Sequence, residues 1–125
     1  MQKTTVTIAS ARQKEITTDY IKLLDEHMLE LKAGTATRAF EIRDLAAKLH
    51  VHPVHLSNTI KEVTGQSTCD HYENRLVAVA KELLATTNLS IGAIALQMTY
   101  DPSNFTKFFK HYTGITPKQY RQQLQ

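Results

Sequence analysis

Two stretches of this sequence repeat one pattern: IRDLAAKLHVHPVHLSNTIK at positions 42–61 and IGAIALQMTYDPSNFTKFFK at positions 91–110. A shift of 49 residues superimposes them without a gap and aligns Pro53 with Pro102. A register kept over this length indicates one supersecondary unit used twice. The aligned apolar pairs are Ile42 with Ile91, Leu45 with Ile94, Leu49 with Met98, Leu56 with Phe105, and Ile60 with Phe109.

Each copy has the layout of a helix-turn-helix. In the first copy, the apolar residues of positions 42–49 recur at helical spacing and predict a short helix with one apolar face. After a short turn, Pro53 has the fixed φ that suits the first position of a second helix, and Gly65 is the residue type that ends one. The caps and stop predicted for the second copy are Ser90, Asp101 and Gly114.

Composition sets limits on what the chain is. Its 125 residues, 42% of them hydrophobic, fit one domain or two very small ones, and a net charge of +3 permits a polyanionic partner without requiring one. The single cysteine, Cys69, excludes an internal disulfide framework and suits a reducing compartment. No stretch approaches the roughly 18 apolar residues of a membrane-spanning helix, and the N-terminus lacks a signal-peptide core. The sequence therefore predicts a cytoplasmic protein without a membrane partner.

The whole chain is predicted to be all-α, with about seven helices. Residues 1–17 are expected to form an N-terminal arm and residues 18–66 the first helix-turn-helix subdomain. Residues 67–87 are then a long linker helix, and residues 88–125 the second helix-turn-helix subdomain. The linker helix is about 25 Å long at 1.5 Å per residue.

Further helix positions follow from apolar spacing. The first subdomain is expected to open with a helix from about Asp19 to Lys32, capped by Thr18. A last short helix is expected after Thr116, with Tyr120 and Leu124 facing inward. The apolar stripe predicted for the first helix consists of Tyr20, Ile21, Leu24, Met28 and Leu31. The stripe predicted for the linker helix consists of Cys69, Tyr72, Leu76, Val79, Ala80, Leu83 and Leu84.

The exposed face of the second helix in a helix-turn-helix enters the major groove of DNA. Asparagine reads adenine, lysine reaches guanine, and Val54 can contact a thymine methyl group. Lys61 and Lys110 lie later in their helices, where phosphate is the expected partner. The linker helix would hold the two readers roughly 34 Å apart, one turn of DNA. The candidate DNA-binding residues are Val54, His55, Ser57, Asn58 and Lys61 in the first copy and Ser103, Asn104, Thr106, Lys107 and Lys110 in the second.

From about residue 18 to residue 122, the chain resembles the DNA-binding region of AraC/XylS-type bacterial transcription regulators. The resemblance implies two helix-turn-helix units joined by a linker helix. It also implies that the two units read adjacent major grooves of double-stranded DNA, usually to activate transcription by contacting RNA polymerase. No cofactor is expected. The most specific motifs that carry it are Asp101 to Lys110 and Thr113 to Arg121. The others are Asp44-Leu45-Ala46, Pro53 to Ser57, Gly65, Tyr72, Arg75-Leu76, Ala80, Leu83-Leu84, Ser90-Ile91 and Ile94-Ala95.

The chain departs from the family pattern in its turns. The family commonly has glycine, used for positive φ, where this chain has His50 and Thr99, so these turns are expected to be strained or shaped differently. The family's second turn usually has one residue more than the first, whereas the two turns here have equal length. The residues assigned to base contact in the second copy could therefore shift by one position along the helix.

Three other functions are alternatives to DNA binding. His50, His52 and His55 have the spacing H-x-H-x-x-H and could hold a zinc ion, although no acidic residue or cysteine lies nearby in the sequence to complete the site. The scaffold could instead serve as a protein-interaction module, because fold does not fix function. An enzyme is the weakest alternative, since the sequence offers neither paired carboxylates nor a glycine-rich phosphate loop.

Overall fold

Helices form all the regular structure that is seen in this chain. The computed structural model describes residues 9–38 and 41–125, and within these ranges it contains seven α-helices and no strand. The predicted all-α fold class is thus confirmed. The helices are α1 (Ala11–Ala33), α2 (Ile42–Lys48), α3 (Pro53–Thr64), α4 (Thr68–Thr86), α5 (Ile91–Gln97), α6 (Pro102–Thr113) and α7 (Pro117–Gln123).

The described residues divide into two compact units. Unit 1 takes its residues from 1–26 and 40–72, and unit 2 from 27–39 and 73–125, so that α1 and α4 each contribute to both. The domain boundaries inferred from the sequence follow helix ends instead, and they stay a prediction. The spacing of the two recognition helices stays a prediction as well.

The core of unit 1 joins the helix-turn-helix α2–α3 to the first half of α1. The aligned apolar residues Leu45, Ala46, Leu56 and Ile60 are buried, as the periodicity predicted. The Tyr20 hydroxyl donates a hydrogen bond to the Thr68 carbonyl over 3.1 Å, which ties α1 to the start of α4 within this unit. The buried residues that α1 adds to this unit are Ile16, Thr17, Tyr20 and Leu24.

The core of unit 2 surrounds the second helix-turn-helix, α5–α6. Two phenylalanines of α6 are fully buried, with ring centroids 6.1 Å apart, and the ring of Phe109 also meets that of Tyr120 at 5.6 Å. The inward position predicted for Tyr120 is therefore confirmed. The other buried apolar residues of this unit are Met28, Leu31, Leu76, Val79, Ala80, Leu83, Leu84, Ile94, Ala95 and Met98.

The start of α1 differs from the prediction. The helix begins at Ala11 rather than near Asp19, and Thr18 is an exposed residue inside it rather than its cap. Ser10 is the cap, because its hydroxyl accepts from the Gln13 N–H over 3.0 Å and its own N–H donates to Gln13 Oε1 over 2.9 Å. Residues 11–17 of the predicted arm are thus helical, while residues 1–8 lie outside the described part of the chain.

Two other predicted core residues are exposed. Cys69 was placed on the apolar stripe of the linker helix, but it lies in the first turn of α4 with its side chain exposed. Leu124 was expected to face inward, yet it follows the last residue of α7 and is 50% exposed. In both cases the apolar spacing was extended to a helix end, where the core no longer covers the side chain.

Candidate nucleic-acid interface

The first candidate recognition helix, α3, is fixed at both ends by its own sequence. His52 Nδ1 accepts a hydrogen bond from the Val54 N–H over 3.1 Å, and Pro53 occupies the first helical position. His52 is therefore the N-cap of α3. At the other end Gly65 takes a left-handed conformation with φ of 80°, and its N–H donates to the Lys61 carbonyl over 2.9 Å.

The second candidate recognition helix, α6, uses a carboxylate where α3 uses an imidazole. Asp101 Oδ2 accepts from the Ser103 and Asn104 N–H groups over 3.1 and 3.3 Å. Gly114 ends the helix with φ of 83°. These ends confirm the caps predicted from the sequence, as does the Ser90 hydroxyl, which accepts from the Ala93 N–H at the start of α5 over 3.0 Å.

The two turns have the same length and the same unusual backbone. His50 has φ of 58° and Thr99 has φ of 64°, and these are the described non-glycine residues with positive φ. Each lies two residues beyond its preceding helix, α2 or α5, and three residues before the proline that opens the next. The resemblance had marked both positions as glycine sites, and the left-handed conformation is retained without glycine.

Most of the predicted DNA-binding side chains lie on one solvent-facing stripe of their helix. Residues four or three apart share a helix face, and the buried residues of α3 and α6 lie on the opposite one. Val54 is 60% exposed, although its side chain is apolar. The exposed candidates are Val54, His55, Asn58 and Lys61 on α3 and Ser103, Asn104, Lys107 and Lys110 on α6, while Ser57 and Thr106 are half-buried.

Ser57 lies at the edge of this stripe, next to a cleft in unit 1. The cleft measures about 370 Å³, and Tyr20, Leu45 and Tyr72 are among its other lining residues. Thr106, the aligned residue of α6, is half-buried in the same way. The pair therefore borders the helix–helix packing, and its role in base contact stays a prediction.

The two exposed faces differ in charge. In α3, Lys61 is followed by Glu62, whose carboxylate accepts a hydrogen bond from Gln13 Nε2 over 2.8 Å. In α6, Lys107 and Lys110 are followed by His111, an exposed side chain at the position aligned with Glu62. The sequence reasoning missed His111, although the shift of 49 residues that aligns the copies pairs it with Glu62.

Aromatic packing holds α6 along its remaining side. The Phe108 ring stacks on that of Tyr100 with centroids 5.3 Å apart and an angle of 18° between the planes. The Tyr112 hydroxyl donates to a carboxylate oxygen of Glu73 in α4. Burial, and to a lesser extent the Glu73 carboxylate, raises the pKa of the Tyr100 phenol above its ordinary value. These contacts fix the rotation of α6 within unit 2 and so fix which side chains it exposes.

The histidine-rich turn does not assemble a metal site. In the described part of the chain, no three His, Cys, Asp or Glu side chains come together in a way that could hold a metal ion. Nδ1 of His52 is already engaged by the Val54 N–H. Among the described helices, none has the length and apolar content needed to cross a membrane.

Comparison with known proteins places this geometry among transcription regulators. A family described as a helix-turn-helix domain matches residues 45–123. The uncharacterized HTH-type transcriptional regulator YisR of Bacillus subtilis is 31% identical over 122 residues, which are 97% of this chain and 39% of YisR. The HTH-type transcriptional activator AarP of Providencia stuartii is 32% identical over 89 residues, covering 70% of this chain and 66% of AarP. This chain thus spans well under half of YisR.

A solved structure shows the same fold. The C-terminal domain of AraT, a response regulator from Geobacillus stearothermophilus, superimposes with a TM-score of 0.77 and 29% sequence identity. The match covers 90% of this chain and 88% of that domain. The fold is therefore shared with a regulator whose sequence differs at most positions.

Proposed function

This chain belongs to the AraC-type family of helix-turn-helix transcription regulators, and we propose that it binds double-stranded DNA sequence-specifically through both α3 and α6. Each helix lies in a major groove and presents its exposed stripe to the base edges. The ten residues Val54, His55, Ser57, Asn58, Lys61, Ser103, Asn104, Thr106, Lys107 and Lys110 form the proposed interface. As part of a regulator, the chain brings the protein to its operator.

One observation carries the proposal: the exposed stripes of α3 and α6 use the same four helix positions, which lie 49 residues apart in the sequence. Neither stripe has a carboxylate between the helix start and its last lysine. Such a carboxylate would repel phosphate and would find hydrogen-bond donors in the major groove only in the amino groups of cytosine and adenine. Asn58 and Asn104 have the amide geometry that pairs with adenine, and Lys61 and Lys110 have the reach for phosphate.

We further propose that the regulator activates transcription, with RNA polymerase as its protein partner. The support comes from AarP, which is described as a transcriptional activator and of which this chain spans 66%. A regulator that contacts both an operator and the polymerase raises promoter occupancy through a linked binding free energy. In a reconstituted transcription reaction, the full protein should increase transcript yield from a promoter that carries the selected site and should leave a promoter without it unchanged.

The DNA-binding proposal is tested by selecting bound duplexes from a random pool. The expected result is a site with two short specified blocks, one for each recognition helix. Asn58→Ala should relax base preference in one block and Asn104→Ala in the other, by about 1–3 kcal/mol at a position. Asn74→Ala, which changes an exposed asparagine of α4, is the matched control and should leave both blocks intact. A pool that shows no enriched sequence would overturn the proposal.

A protein-interaction module on the same scaffold would behave differently. Phosphate neutralisation by lysine releases counterions, so log K for duplex binding must fall linearly with the logarithm of the salt concentration. A module that recognises only protein would not bind random duplex at all. The salt series on random duplex therefore separates the two functions before any sequence is selected.

A further inference from the structure

The cleft on the surface of unit 1 has the size and lining of a small-molecule site. Its volume is about 370 Å³, whereas a cavity of roughly 150 Å³ holds one benzene ring, so it can take a molecule of about two rings. Tyr20 of α1 and Leu45 of α2 are its buried lining residues. The half-buried side chains of Ile42 and Tyr72 extend this mostly apolar lining toward solvent. Sites of this kind bind a small molecule mainly by burying its apolar surface.

Contacts within unit 1 hold the helices that surround the cleft. The Tyr20 hydroxyl donates to the Thr68 carbonyl over 3.1 Å and joins α1 to α4. The Ser67 hydroxyl accepts from the Asp70 N–H over 3.0 Å and fixes the first turn of α4. Ser57 adds α3 to the lining, so that α1, α2, α3 and α4 all border the cleft. A preformed site spends little free energy on ordering when it binds a ligand.

The charged groups at the cleft favour a cation over an anion. Among the described residues that line it, Glu41 is the only charged one. Its carboxylate lies 3.3 Å from Arg43 Nε, but the two side chains are 60% and 77% exposed, and so open an ion pair is weak and easily exchanged. The N-termini of α2 and α4 would otherwise favour an anion, but their first turns already carry Asp44 and Asp70.

The aligned positions of the second copy have a different chemistry. At the 49-residue offset, Glu41 corresponds to Ser90, and Tyr72 corresponds to Arg121. The Ser90 hydroxyl caps α5, and the Arg121 guanidinium donates to three backbone carbonyls, so both groups serve the fold of unit 2. The carboxylate and the aromatic ring at the cleft are therefore features of unit 1 that the duplicated fold does not require.

We infer that the cleft of unit 1 is a binding site for a small aromatic amine of about two rings. The rings leave water and pack against Tyr20, Leu45 and Tyr72, because aromatic side chains contact other rings favourably. The ammonium group stays at the mouth of the cleft beside Glu41, where its charge is complemented. Cys69, an exposed residue that also lines the cleft, is covered by the bound molecule.

Naphthylmethylamine is the probe, and naphthylmethanol and naphthoate are its neutral and anionic counterparts. Isothermal titration of the chain with each compound measures Kd. Cys69 is the only cysteine of the sequence, so the rate of its alkylation by iodoacetamide reports whether the cleft is occupied. Glu41→Gln removes the charge and keeps the shape of the side chain. Glu82→Gln is the matched control, because Glu82 is also a half-exposed carboxylate, paired with Lys32 over 2.9 Å away from the cleft.

The amine should bind saturably with Kd below about 1 mM, as expected for a ligand of this size. It should bind about two- to fivefold more tightly than the alcohol, the range for an exposed ion pair, and the carboxylate should bind most weakly. Glu41→Gln should abolish the preference for the amine, and Glu82→Gln should keep it. Saturating amine should slow the alkylation of Cys69 in the folded chain and leave it unchanged in the chain unfolded by urea.

The inference is wrong if the amine does not bind, if naphthoate binds as tightly as the amine, or if Glu41→Gln keeps the preference. It is equally wrong if saturating amine leaves the alkylation of Cys69 unchanged in the folded chain. Alkylation that slows with rising protein concentration in the absence of any probe would mean that a second copy of the chain covers the cleft, which would also overturn it. Selection of duplexes is a separate experiment, so the proposed function is tested independently of this site.

Discussion

His50 and Thr99 hold a left-handed backbone conformation that glycine adopts more readily. Their φ values are 58° and 64°, and each lies in the turn before a candidate recognition helix. A non-glycine residue in this region costs of the order of 1–3 kcal/mol. The cost is greater for threonine than for histidine, because a β-branched side chain crowds the backbone further. Both turns therefore hold a backbone conformation that is unfavourable for the residue at that position.

We expect Thr99→Gly to stabilise the chain by about 1 kcal/mol, the relief of strain less the added freedom of glycine in the unfolded state. The measurement is the urea midpoint at an unchanged slope of free energy against urea concentration. Thr99→Ala is the matched control, because it also removes the hydroxyl that bonds to the Met98 carbonyl at 2.5 Å but keeps the Cβ atom. Equal stability of the two variants would show that the turn is not strained at Cβ.

At the scale of the helices, one side chain of α7 joins the end of α4 to the start of α5. The Arg121 guanidinium donates three hydrogen bonds, to the carbonyls of Leu84 at 3.1 Å, Thr87 at 3.3 Å and Leu89 at 2.6 Å. These carbonyls belong to the last turn of α4 and to the segment after it, where no helical N–H reaches them. Arg121 therefore fixes how the second helix-turn-helix follows α4.

Arg121→Ala should destabilise unit 2 by about 2 kcal/mol, since hydrogen bonds from a charged donor are lost and part-buried carbonyls lose their partner. Arg121→Lys should recover little of this, because an ammonium group cannot reach three carbonyls in the geometry of the guanidinium fork. Chemical denaturation followed by circular dichroism measures both. Full recovery by lysine would mean that charge alone accounts for the effect of Arg121.

The apolar stripe of α4 makes a separate prediction. Leu76 is 1% exposed, and Leu76→Ala should lower the free energy of unfolding by about 2–5 kcal/mol through lost burial and the cavity that remains. Asn74→Ala, an exposed change on the same helix, should stay within about 0.5 kcal/mol of wild type. A loss below about 1 kcal/mol for Leu76→Ala would contradict the burial of this residue.

The helices with strong end signals were predictable from the sequence. The ends of α3 are set by Pro53 and Gly65, and those of α6 by Asp101 and Gly114. These signals act locally: proline has a fixed φ, glycine adopts a left-handed φ, and the Asp101 carboxylate caps the helix start. The start of α1 was missed because Ala11 to Glu15 show no apolar period, although Ser10 and Gln13 have the spacing of a capping box.

Side-chain exposure was less predictable than the helix ends. Periodicity ranks the faces of a helix but does not show where the surrounding core stops, and this is how Cys69 and Leu124 were misplaced. The half-burial of Ser57 and Thr106 has the same origin. It depends on the cleft beside α3 and on the packing around α6, which no local pattern of residues reports.

For the whole molecule, the charge on the proposed interface is concentrated on the second copy. The net charge of the chain is only +3, yet two lysines, Lys107 and Lys110, lie on the exposed stripe of α6. On α3, Lys61 is next to Glu62, which is bonded to Gln13. The sequence-independent attraction to DNA therefore comes more from unit 2 than from unit 1.

Lys110→Ala should weaken binding to every duplex alike and should reduce the salt slope of log K by about 0.9, the value for one phosphate contact. Lys107→Ala should also relax base preference at one position of the selected site, by about 1–3 kcal/mol, if its ammonium reads a base edge. Binding isotherms at several salt concentrations, on selected and random duplexes, separate the two effects. Unchanged affinity of Lys107→Ala for every sequence would remove that residue from the interface.

The 49-residue offset between the copies has a consequence for redesign. Solvent-facing positions of α3 and α6 correspond one to one, while the residues beneath them differ in size, leucine and isoleucine against two phenylalanines. The surface of one helix can therefore be grafted onto the other without touching the interior that supports it. A chain with identical surfaces on α3 and α6 would prefer an operator whose two blocks carry the same bases, whereas the natural chain has two different surfaces.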